Sequence, residues 1–104
     1  MILERDPLMS KETRDEEFWE ITDEFIKLAN EQCDKHKNGK VSTSILFSAA
    51  RFNSFMYSST AKDLDDFRKD KEMAIEFLTD QYKKVLIENL NDYEKNYKEY
   101  LENK

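Results

Sequence analysis

Cys33 and His36 stand three residues apart, the spacing at which a thiolate and an imidazole on one helical turn reach a common metal ion. They are the only cysteine and the only histidine, whereas a structural zinc site takes four ligands drawn mostly from these two types. The pair is too few, so no metal is expected, and His36 is expected instead to stabilise the end of the helix that carries it. A di-iron bundle needs Glu-x-x-His pairs facing a core, and the residue three before His36 is Cys33. A glycine-rich phosphate loop and a nucleophile elbow are also missing, with one Gly in the whole sequence. Asp and Glu could still do general acid–base work, but a helical wheel puts nearly all of them on outer faces. No catalytic residue and no cofactor is expected, and the protein is read as not being an enzyme.

A second group of residues has binding chemistry. Asn53 falls near the middle of an apolar arc beside Leu46, Ala49 and Tyr57, where an amide costs stability unless its donors and acceptor are matched. It reads first as a polar contact that fixes helix register, and second as a ligand contact. Arg51 sits on a wedge of small residues and needs an acceptor, most simply a carboxylate of a neighbouring helix. Asn30 and Asn89 border apolar faces too and could converge with Arg51 and Asn53 on one polar spot, with Trp19 close by on the apolar half of its helix. Arg51, Asn53, Asn30 and Trp19 together would line a polar inter-helix pocket, the one place a small molecule would fit.

The elements that must position these residues follow from composition. The chain has 104 residues, 38% hydrophobic and 38% charged, with 7 Phe, 5 Tyr and 1 Trp, too much apolar payload for a disordered chain. One Gly and one Pro leave little turn chemistry for a sheet of hairpins, so the fold class is all-α. Charge is uneven: residues 1–36 hold 11 acids and 5 bases, 37–60 hold 3 bases and no acid, and 61–104 hold 12 acids and 9 bases. The net charge of −6 repels a polyphosphate, so nucleic acid is not an expected partner.

Residues 1–12, charged and containing Pro7, read as a flexible arm, and 13–104 as a single helical domain. Thr13 with Glu16 offers a capping box for a helix over about 14–36, whose wheel gathers Phe18, Trp19, Ile21, Phe25, Ile26, Leu28, Ala29 and Cys33 on one half. Gly39 is expected to end it with a positive φ. Ser42 would cap a second helix, about 42–58, apolar over well over half of its wheel and therefore expected to be the buried one. Its six serines and one arginine between Ser42 and Ser59 argue against a membrane span. Thr60 with Asp63 would cap a third helix, about 61–102, with a break near 68–71 an open alternative.

That third helix would reach about 40 residues and 60 Å, beyond what the other two can cover in a three-helix up-down bundle. Ile75, Leu78 or Thr79, Tyr82, Leu86, Leu90, Tyr93, Tyr97 and Tyr100 follow coiled-coil steps, so a homodimer or higher homo-oligomer is expected to complete the fold. Met73 and Phe77 project away from this seam and read, with Tyr93, Tyr97 and Tyr100, as interface residues. The start, Met1 to Pro7, has no apolar run like a signal peptide, and a lone cysteine fits a reducing compartment, so a cytoplasmic location is expected.

The runs Phe18 to Asn30 (FWEITDEFIKLAN), Ala49 to Phe55 (AARFNSF) and Glu88 to Tyr93 (ENLNDY) occur in an order that resembles a family of small acidic, mostly proteobacterial proteins, domain of unknown function 3144. The resemblance covers about residues 15–102. It implies a helical fold and a bacterial cytosolic origin, and it brings no catalytic or ligand residue with it. The functional expectation is a self-associating or protein-interaction module, with a small-molecule binder built around Arg51 and Asn53 as the alternative.

Overall fold

Asp15 sets the first helix. Its backbone is extended and its carboxylate accepts from the Phe18 N–H at 2.9 Å, and Glu16 and Glu17 place negative charge in the first turn, where the helix dipole favours it. The computed structural model describes residues 14–102. The expected arm and the Thr13 cap lie outside them. Helix α1 is Glu16–Cys33, α2 is Asn38–Ser58 and α3 is Leu64–Lys95, followed by a π-helical turn at Lys98–Glu102. The fold is all-α, with three main helices and the longest at the C-terminal end.

The described residues fall into two compact units that divide between Ala61 and Lys62. In the first, α1 and α2 contact each other. The chain leaves α1 through tight bonds, Asp34 N–H to Glu31 O at 3.2 Å and Lys35 N–H to Gln32 O at 3.0 Å, and re-enters a helix at Asn38. The expected start at Ser42 is therefore four residues late. Gly39 lies in the first turn of α2 without a positive φ, because a reversal closed by such three-residue bonds needs no left-handed residue. Val41, 7% exposed, is buried just after this connection.

The end of α2 is closed by hydroxyls. Ser58, Ser59 and Thr60 donate to the carbonyls of Ser54, Met56 and Tyr57 at 2.7, 2.8 and 2.7 Å, and the Thr60 N–H also reaches the Tyr57 carbonyl at 3.1 Å, so side chains reinforce the backbone bonds of the last turn. Thr60 thus finishes α2 rather than starting α3.

In the second unit Asp63 caps α3, accepting from the Asp66 N–H at 2.8 Å, while Asp66 accepts from the Lys62 N–H at 3.0 Å. This reciprocal pair is a capping box shifted by one residue. Helix α3 then runs without a break through 68–71 for 32 residues, about 48 Å at 1.5 Å per residue. The interruption comes later, at Asn96. Ala74, 5% exposed, and half-buried Phe67, Asp70, Leu78, Gln81 and Val85 recur every three to four residues. This line is rotated from the expected seam, of which Ile75, Tyr82, Leu86, Leu90 and Tyr93 stay exposed.

Candidate functional site

Trp19 and Asn30 lie on α1, Arg51 and Asn53 on α2, and all four are exposed. No hydrogen bond, ion pair or ring contact joins any of them to another; the Trp19 ring meets Phe18 instead, edge-on at 4.9 Å. Cys33 is half-buried and His36 exposed, and no group of three or more metal-ligating side chains gathers among the described residues. Asn89, which borders the α3 stripe, donates to the Val85 carbonyl at 2.8 Å and so serves its own helix.

The apolar residues set the character of the surface. The second helix, expected to be the buried one, buries Val41 alone. Ile45, Leu46, Phe47, Phe52, Phe55 and Met56 are exposed around its circumference, because within its own unit α1 can cover only one side of a helix that is apolar over most of its wheel. On α1, Ile21, Phe25 and Leu28 are exposed along one stripe, edged by Glu17, Glu24 and Glu31. Phe47, Arg51 and Phe55 lie four apart and form a ridge along α2. Phe47 was outside the apolar arc read from the sequence; its four-residue spacing from Arg51 and Phe55 is the signal that marks it.

Of the expected interface residues, Met73, Tyr93 and Tyr97 are exposed, and Phe77 and Tyr100 half-buried. The last is part of a local corner. Asp92 accepts from the Asn96 amide at 3.0 Å through Oδ1 and from the Tyr100 hydroxyl at 3.1 Å through Oδ2, and the Tyr93 and Tyr100 rings meet at 4.9 Å. The Tyr100 hydroxyl is pushed above the ordinary tyrosine pKa, first because it donates to this carboxylate and second through desolvation. A recess beside the corner is lined by the consecutive residues Glu94 to Glu99, and is the concavity of the bend itself. The Asp92, Asn96, Tyr100 spacing of four and four was the sequence signal for this corner.

Helices capped by aspartates and hydroxyls, with exposed apolar side chains along α1 and α2, define an all-helical protein. No helix among the described residues is long and apolar enough to cross a membrane. The chain belongs to the family described as Protein of unknown function (DUF3144), whose model matches residues 18–94 and so spans nearly all of α1 to α3. No curated protein and no solved structure matches it.

Proposed function

We propose that this protein acts by association with further copies of itself rather than by catalysis. The observation that carries the reading is the exposure of large apolar side chains on α1 and α2, with Val41 the one buried hydrophobic residue among the described residues of that unit. Apolar surface held out of water contributes roughly 25 cal/mol per Å², and a unit this small needs most of what it has. A helix apolar on most of its circumference is stable when it is covered on more than one side. A second copy supplies that cover with no further gene product, and closed two-fold dimers are the commonest solution among soluble oligomers.

Sedimentation velocity on untagged protein from low to high micromolar concentration tests this. A species at a multiple of 12.5 kDa is expected. A single species at 12.5 kDa throughout would overturn the reading. Native mass spectrometry of the same sample also reports any stoichiometric small-molecule adduct, which would favour a binding role around Arg51 and Asn53 instead.

A further inference from the structure

Charge discriminates between the surfaces that two copies could share. The chain carries −6 overall, so bringing two copies together is opposed unless the contact avoids acid against acid. Helix α1 contributes Glu16, Glu17, Glu20, Asp23, Glu24 and Glu31 against Lys27 alone, and α3 is net acidic as well. Helix α2 is the exception, with Lys40 and Arg51 and no carboxylate from Asn38 to Ser58. A positive helix and a strongly negative one in the same chain are complementary across a two-fold axis.

The apolar geometry agrees with the charge. The α2 ridge presents Phe47 at 68% and Phe55 at 64% exposure with Arg51 between them, and Arg51 makes no ion pair in its own chain among the described residues. The α1 stripe presents Phe25 at 69% exposure between Ile21 and Leu28, with Glu17 and Glu24 along one edge. We propose that two copies pair reciprocally, the Phe47, Arg51, Phe55 ridge of α2 in one lying on the Ile21, Phe25, Leu28 face of α1 in the other, with Arg51 against the Glu17 and Glu24 edge. This rests on the self-association reading and names its surface.

The area is of the right order. An aromatic side chain buries about 150–250 Å², so each of these three rings leaves roughly 100–170 Å² open. Counted in both copies, six rings supply about 600–1,000 Å², at least about half of the roughly 1,200 Å² at the lower limit of a stable specific interface, before Ile21, Leu28 and the Arg51 stem are added. An Arg set among carboxylates at the centre of an apolar patch is also the arrangement in which a charged residue contributes most to an interface.

A charge exchange in trans tests the pairing. Arg51→Glu in one chain and Glu17→Lys with Glu24→Lys in another are measured separately and mixed, by sedimentation velocity beside the wild type. Each variant alone is expected to dissociate at least tenfold more readily than the wild type, and the equimolar mixture to recover the dimer, since both reciprocal contacts are then matched. Glu20→Lys with Asp23→Lys makes the same change in net charge on another part of α1, and mixing it with Arg51→Glu should not restore the dimer. A wild-type dimer indifferent to Arg51→Glu, a mixture that fails to recover, or equal recovery with the control pair overturns this pairing while leaving self-association standing. Under the first of these outcomes another segment, α3 included, covers the ridge. A monomeric wild type takes down both.

Discussion

The Tyr100 hydroxyl donates to Oδ2 of Asp92 at 3.1 Å, joining two residues eight positions apart across the point where α3 stops being α-helical. Asn96, with φ −112° and ψ 28°, breaks the helix, and its N–H and side-chain amide both return to the Asp92 carbonyl, at 3.0 and 3.2 Å. The corner is therefore held by one carboxylate and one carbonyl of the same residue.

Its pH dependence follows. A tyrosine whose folded pKa is raised contributes stability that is fully present below its unfolded value of 10.0 and is lost as pH rises through the folded value. The corner should loosen only above pH 10.0, when a phenolate would face the Asp92 carboxylate. The difference between ultraviolet titrations of wild type and Tyr100→Phe isolates this hydroxyl, and a midpoint at or below 10.0 would contradict the hydrogen bond.

Gly39→Ala should stabilise the protein by about 0.4–1 kcal/mol. An added methyl group meets nothing within 4 Å, and the backbone there has no positive φ. Thermal or urea unfolding decides it; destabilisation would mean that Gly39 ends α1 in a left-handed conformation after all.

Removing the Asp63 cap should cost about 1 kcal/mol, the usual loss for an N-cap carboxylate replaced by Ala. Asp63→Asn should retain most of it, since the amide oxygen still accepts from the Asp66 N–H. Equal losses for both variants in chemical denaturation would show that charge rather than the cap bond matters.

If association supports the fold, the midpoint of thermal unfolding should rise with protein concentration, each tenfold increase adding up to about 1.4 kcal/mol to a dimer's apparent stability. Calorimetry over a hundredfold range reads this directly. A midpoint that does not move belongs to a protein that folds alone.

Helix number, type and order were legible because 3.6-residue periodicity and the scarcity of Gly and Pro act over whole segments. Starts and stops were less legible because several residues competed for each cap. Asp15 and Asp63 took positions that Thr60 and the undescribed Thr13 also fitted, and a carboxylate is the stronger acceptor next to a helix dipole. Of the more buried line of α3 only Leu78 was read, because Asp70 and Gln81 interrupt its apolar pattern, although the stem of a glutamine can lie along such a face. For the Arg51 and Asn53 group a wheel gives angle and no depth, so their exposure was not legible. Depth depends on what lies opposite, which one helix's sequence does not contain.

The absence of any carboxylate in α2 also bears on how the chain is made. Synthesis proceeds from the N-terminus, so acidic α1 always precedes α2, and acidic α3 follows it. A chain halted after Ser58 would end in its most adhesive helix, with α1 alone to keep it dispersed. Charge repulsion from α1 is therefore already in place when the carboxylate-free α2 emerges, and α3 adds to it once synthesis is complete.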